Sequence, residues 1–251
     1  MTQVETDHVD TRSDEGVELT IGIARRPEGG HDLGPSRHTC LSSRSMELLL
    51  IRHALPVRRE MVDGPADPEL SEAGVAQSQH LAAYLADEHL HAICSSPLRR
   101  ALETAGPVAD SRGLPVEVIE GIAEWDQHAT EYVPVEELKA SDDPRWRALL
   151  QGEWDSDESR DEFRDRVVDT IEEVIDLHRG HRVAMVCHGG VINTYLAHVL
   201  GLDDAVGFFY PNYTSIHRVA AASSGERSVV TLNETSHLRG TGLPVGLFQG
   251  R

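Results

Sequence analysis

Leu48-Leu49-Leu50-Ile51-Arg52-His53 is the stretch whose reading decides the fold. Consecutive apolar side chains over a strand's length describe a β-strand buried on both faces, the kind found in parallel sheets sandwiched between helices. The run ends on a guanidinium and an imidazole. In open α/β sheets ligands bind just beyond the carboxyl ends of the strands, so Arg52 and His53 stand where chemistry is expected.

Working outward, the same rhythm repeats. Ser71 is expected to cap a helix over 71–86, with Val75, Leu81, Ala82 and Leu85 as its apolar stripe. Ala92–Ser95 reads as a second strand. The next helix has Ser96 as cap, Pro97 at the first helical position, Leu98, Ala101, Leu102, Ala105 and Val108 on one face, and Gly113 past its end. Residues 115–119 give a third strand. An acidic stretch carrying Trp125, Trp146 and Trp154 then reads as an insertion with short helices.

Phe163, Val167, Ile171, Val174 and Ile175 mark a long amphipathic helix stopped by Gly180, and Arg182–Cys187 is a fourth strand. A helix over 191–200 ends at Gly201, and strands over 215–220 and 228–232 flank a turn at Gly225. Strands alternating with helices predict a three-layer α/β/α sandwich with a mostly parallel sheet over 46–251. Residues 1–45 mix Asp, Glu, Ser, Gly and Arg with little periodicity and are expected to be a disordered extension. Met46, directly before the first strand, is an alternative start, which would make the leader an artefact of the assigned start site.

Composition narrows the classes of function. The chain has 251 residues, of which 39% are hydrophobic, enough for one sizeable core. Forty-two acidic against 23 basic residues give a formal charge of −19, which disfavours nucleic acid and acidic membranes as partners. No apolar run has the length of a membrane span, and the N-terminus lacks a signal-peptide core, so the cytoplasm is the expected location. Cys40, Cys94 and Cys187 show no disulfide or metal-ligand spacing, and the 14 histidines show no such spacing either. No metal and no cofactor is expected. Oligomeric state, including a homo-oligomer, is left open.

The residues following the strands are Arg52 and His53; Ser95, Ser96 and Arg100; Glu124; and His188, Gly189 and Gly190. Phosphoryl transfer needs a nucleophile, cations for the equatorial oxygens and a proton donor for the leaving oxygen. Neutral imidazole, forked guanidiniums and a carboxyl group supply these in turn.

Four ordered stretches also carry a resemblance: Leu50-Ile51-Arg52-His53, Asp67-Pro68-Glu69-Leu70-Ser71-Glu72-Ala73-Gly74, Ser95-Ser96-Pro97-Leu98-Arg99-Arg100-Ala101 and Cys187-His188-Gly189-Gly190. Together, from Met46 to about Leu238, the chain resembles the phosphoglycerate-mutase-like branch of the histidine phosphatase superfamily. The resemblance implies a phosphoglycerate-mutase-like fold and a small phosphorylated substrate. It implies that His53 carries the phosphoryl group, that Arg52, Arg100 and His188 hold it, and that Glu124 is the general acid, with Glu120 and Asp126 as neighbouring alternatives. Backbone N–H groups at Gly189 would also face phosphate. Where the family commonly has Gly and then Asn after the nucleophile, this chain has Ala54 and then Arg58 and Arg59, two further cations expected at the substrate. The Gly- and Trp-bearing motif that often follows the acid is degraded.

Three rival readings stand beside phosphomonoester hydrolysis. A mutase would return the phosphoryl group to a second hydroxyl, and a non-catalytic module would only bind phosphate esters. Cys94 and Arg100 also stand in the Cys-x5-Arg arrangement of cysteine phosphatases, although Pro97 and the lack of glycine impair the backbone cradle that mechanism needs.

Overall fold

The computed structural model describes residues 45–151, 153, 156–202 and 207–247. The leader over 1–44 and Trp154 therefore lie outside the described residues. A six-stranded sheet is built from β1 (Met46–Arg52), β3 (Ala92–Ser95), β4 (Val116–Val118), β6 (Arg182–Cys187), β7 (Ile216–Ala221) and β8 (Arg227–Glu234), in the order β4-β3-β6-β1-β7-β8. β4, β3, β6 and β1 are parallel, β7 runs antiparallel to β1, and β8 pairs antiparallel with β7. Its helices are α1 (Glu72–Tyr84), α2 (Arg99–Arg112), α3 (Val135–Ala140), α4 (Pro144–Gln151), α5 (Arg160–Leu177) and α6 (Gly189–Leu200).

Alternation along β1 divides the core in two. Leu48 and Leu50 join Val183 and Met185 beneath Phe163, Val167 and Ile171 of α5 and Val191 and Ile192 of α6. Leu49 and Ile51 join Ala184 and Val186 beneath Leu81 of α1 and Ala101, Ala105 and Val108 of α2. Each of the Leu, Ile, Val, Met and Phe side chains contributes about 1.5–3 kcal/mol by leaving water, and only a strand with apolar residues on both faces can serve two layers.

Local chemistry sets the helix ends. The Ser71 hydroxyl accepts from the Gly74 amide at 3.0 Å, and Ser159 and Glu162 form a reciprocal capping box on α5. Gly113 closes α2 at φ +63°, where a side chain would be strained. Two expectations for these helices are corrected. Val75 faces solvent, and buried Gln77 takes its place, accepting from the Leu55 amide at 2.8 Å and donating to the Pro244 carbonyl at 2.5 Å. The second helix begins two residues later than the Ser96-Pro97 signal suggests, with the Asp67 carboxylate accepting from the Arg99 amide at 2.9 Å. Ser96 is engaged elsewhere, on His188.

The acidic insertion contributes β5 (Glu131–Tyr132), which pairs antiparallel with β2 (Arg59–Glu60) from the loop after β1, and continues into α3 and α4. Among the described residues no helix is long and apolar enough to cross a membrane.

Candidate active site

Sheet register assembles the site. Pairing β1 with β6 sets Arg52 beside Cys187, and the His53 amide donates to the Cys187 carbonyl at 2.9 Å, so the next residue on each strand, His53 and His188, comes side by side. Their ring centroids are 5.1 Å apart. On the neighbouring strand, the Ser96 amide bonds the Val186 carbonyl at 3.0 Å, placing the Ser96 hydroxyl 2.7 Å from His188 Nε2.

His53 is buried, and its Nδ1 lies 2.7 Å from the Ala54 carbonyl oxygen. A carbonyl only accepts, so Nδ1 carries the proton and Nε2 presents the lone pair. Burial, then Arg100, then Arg52 hold the pKa of His53 well below the usual histidine value, and His188 is lowered by burial, Arg100, His53 and Arg52. Both rings are therefore neutral near pH 7.

Two buried cations flank them. Arg52 donates to Tyr210 Oη at 2.9 Å and to the Pro211 carbonyl at 2.7 Å, and lies over the Tyr210 and Tyr213 rings. Both tyrosine hydroxyls donate at 2.7 Å to one carboxylate, Glu136 on α3. Arg100, only 1% exposed, donates to Asp126 at 2.7 Å and stacks over Tyr132. Arg52 Nε, Arg100 Nε and His188 Nδ1 are buried and have no hydrogen-bond partner among the described residues. Buried polar nitrogens left in this state are costly, and an oxyanion set among them would satisfy all three.

Glu124 completes the group. It is buried and accepts from the Gly190 amide at 2.8 Å and the Trp125 amide at 3.2 Å. Burial first, and then the charge of Asp126, push its pKa up to about 7 against the pull of Gly190, Arg100 and Trp125. A carboxyl at that value both gives and takes a proton near neutrality. Position 190 admits only glycine in this arrangement, because a Cβ there would fall inside the Glu124 carboxylate.

Arg52, His53, Arg100, Glu124 and Gly189 all line one cleft of about 1740 Å³. Of the alternatives to Glu124, Glu120 is exposed and Asp126 is engaged by Arg100. The structure does not bring Arg58 and Arg59 into this cluster. Exposed Arg58 pairs with Glu60 and Glu131, and Arg59 pairs with Glu69, because the β2–β5 ribbon turns both side chains onto acidic neighbours. The cysteine reading fails on burial: Cys94 lies inside the apolar layer beneath α5, and burial followed by Glu117 pushes its thiol up to about 12. Sequence reasoning missed the roles of Ser96, Glu136, Tyr210 and Tyr213, which no local spacing announces.

Residues 48–235 match the family model of the histidine phosphatase superfamily (branch 1). Phosphoserine phosphatase 1 of Hydrogenobacter thermophilus is 30% identical over 201 residues, covering 77% of this chain and 94% of that protein. Among solved structures, phosphoserine phosphatase of Entamoeba histolytica in complex with 3-phosphoglyceric acid superposes with a TM-score of 0.62 at 26% identity, over 77% of this chain and 99% of that one. Mycobacterial glucosyl-3-phosphoglycerate phosphatase shares the fold, with a TM-score of 0.61 at 23% identity over 76% of this chain and 100% of that one. With sheet, strand ends and sequence in agreement, the chain belongs to the histidine phosphatase superfamily, branch 1, as an enzyme that acts as a phosphatase.

Proposed function

We propose that this phosphatase hydrolyses a phosphomonoester of a small metabolite in two steps through a phosphohistidine at His53. The observation that carries the reading is the set of three unpartnered buried nitrogens, Arg52 Nε, Arg100 Nε and His188 Nδ1, gathered around a histidine whose Nε2 lone pair is free to attack. In the first step His53 Nε2 bonds to phosphorus, the ester P–O bond breaks, and protonated Glu124 gives its proton to the departing oxygen. The Ala54 carbonyl steadies the positive charge that develops on the ring through Nδ1–H. In the second step water attacks phosphorus, the P–N bond breaks, and the Glu124 carboxylate takes the proton from that water. Arg52, Arg100 and His188 hold the equatorial oxygens throughout.

Relatives named for phosphoserine and glucosyl-3-phosphoglycerate support a small phosphorylated carboxylic acid or sugar acid as substrate. Hydrolysis is preferred over mutase action because relatives matched over most of their length, such as phosphoserine phosphatase 1, are named as phosphatases. A cytoplasmic setting is part of the proposal, in keeping with the free thiols of Cys94 and Cys187.

Rapid-quench labelling with an aryl phosphate tests the reading. Wild type and Cys94→Ser are expected to form an acid-labile, base-stable phosphoenzyme and His53→Ala none. Full turnover by His53→Ala would overturn it.

A further inference from the structure

Cys94 takes no part in the phosphoryl-transfer site, yet it has chemically suggestive neighbours. The β3–β4 register sets Cys94 directly beside Glu117, so both side chains leave the same face of the sheet. Helix α5 covers that face, packing Val174 and Ile175 into the layer that holds Cys94, and His178 is its C-cap residue. The cysteine sulfur, a Glu117 carboxylate oxygen and a His178 imidazole nitrogen all lie within 4.8 Å of one another, with His178 Nε2 3.9 Å from Glu117 Oε2.

Burial grades these three donors from inside to outside. Cys94 is fully buried, while the side chains of His178 and Glu117 are 18% and 48% exposed. A fixed sulfur thus forms the floor, and two side chains reachable from solvent form the mouth. Sulfur, nitrogen and oxygen in one set suit a borderline divalent ion such as zinc; magnesium and calcium take oxygen donors. In a tetrahedral zinc site, bond lengths of about 2.0–2.3 Å put neighbouring donors roughly 3.3–3.5 Å apart. The observed separations, 3.9 Å between His178 and Glu117 and at most 4.8 Å for any pair, therefore call for a contraction of up to roughly 1.5 Å, which falls to the two partly exposed side chains.

We propose that Cys94, Glu117 and His178 form a binding site for one zinc-class divalent transition-metal ion, separate from the phosphoryl-transfer cleft, with water as the fourth ligand. Binding replaces the thiol proton with a sulfur–metal bond and releases that proton to solvent, so no oxidant or reductant is involved. The site escapes a spacing search because its donors come from positions 94, 117 and 178, on two strands and a helix end.

Titration of the full chain with cobalt(II) tests this, because thiolate ligation adds a near-ultraviolet sulfur-to-cobalt charge-transfer band that histidine or carboxylate ligation does not. Wild type is expected to take up one equivalent with that band, and zinc is expected to bleach it. Cys94→Ser should abolish the band, while Cys40→Ser, Cys187→Ser and His53→Ala should retain it. Glu117→Gln and His178→Ala, changes at the partly exposed rim, should weaken binding roughly tenfold or more. These two variants keep the test decisive if Cys94→Ser fails to fold.

A surface alternative lies nearby. The His181 ring is 6.2 Å from His178 and stacks on His91 at 4.6 Å, and His89 lies 4.5 Å from His91. The proposal is overturned if wild type shows no thiolate band, if Glu117→Gln and His178→Ala both bind cobalt like wild type, or if binding disappears only in a His89→Ala/His91→Ala/His181→Ala variant.

Discussion

In the proposed mechanism, one burial decision gives the Glu124 carboxyl group two uses. Its pKa of about 7 leaves it protonated often enough to serve as an acid and ionised often enough to serve as a base. With an alkyl phosphate, whose leaving oxygen needs a proton, kcat/KM is expected to fall as pH climbs through about 7, the value of the free enzyme. Glu124→Gln should lose that limb and drop roughly 10²–10⁴-fold in kcat/KM with the alkyl ester and much less with a nitrophenyl ester, whose leaving group departs without a proton, while kcat should fall with both because water attack on the phosphoenzyme uses the same carboxylate. Stability has a matching sign. A folded value above the ordinary 4.5 means the protonated carboxyl favours folding at low pH, and this contribution fades as pH rises to about 7. The melting temperature of Glu124→Gln relative to wild type should therefore rise across that window in calorimetry. Gly190→Ala makes a second test, since the added methyl must displace the carboxylate. An ångström-scale misplacement costs on the order of 10²-fold in rate, which steady-state kinetics would show as lost kcat with little change in KM.

Among the elements, α3 supports the buried Arg52, a phosphoryl-binding cation in the proposed mechanism, through two tyrosines rather than by direct contact. Glu136 receives both tyrosine hydroxyls, and the tyrosines enclose Arg52 by a hydrogen bond and two ring faces. Glu136→Ala is expected to cost about 1–3 kcal/mol in denaturant unfolding and to lower kcat/KM, while Glu136→Gln, which still accepts hydrogen bonds, should recover part of both. α2 shows the opposite traffic. Its Ser96-Pro97 signal was legible, but Ser96 serves His188 and the helix starts at Arg99. α1 deviates for a similar reason, since buried Gln77 ties down the loop after His53 and leaves Val75 to solvent.

Taken whole, the buried core of the described residues begins at Met46, the first residue of the central strand. We propose that a chain beginning at Met46 folds with an unchanged melting temperature and unchanged turnover; a lower value of either would assign the leader a structural or catalytic part. The formal charge of −19 sits on the same molecule as a cleft lined by Arg52 and Arg100, so the proposed anion recognition is local. That separation explains how a strongly acidic chain handles phosphate esters.

Periodicity and punctuation are local properties, and they settled the strand at 48–52, the long helix carrying Phe163 to Ile175, the glycine stops at Gly113 and Gly201 and the strand-end positions of Arg52, His53 and His188. Burial preference acts on every residue in turn, so it leaves a readable pattern. Pairings between distant positions leave none. Whether Glu120, Glu124 or Asp126 becomes the buried carboxyl, whether Arg58 and Arg59 face substrate or Glu60 and Glu69, and whether Glu136 meets Tyr210 and Tyr213 depend on register, ribbon twist and which side chains lose water. The sequence by itself determined the layers and the residues at the strand ends; only the tertiary structure decided which of the three acidic side chains is buried, the supports of Arg52 and the meeting of Cys94, Glu117 and His178, because those follow from contacts between segments far apart along the chain.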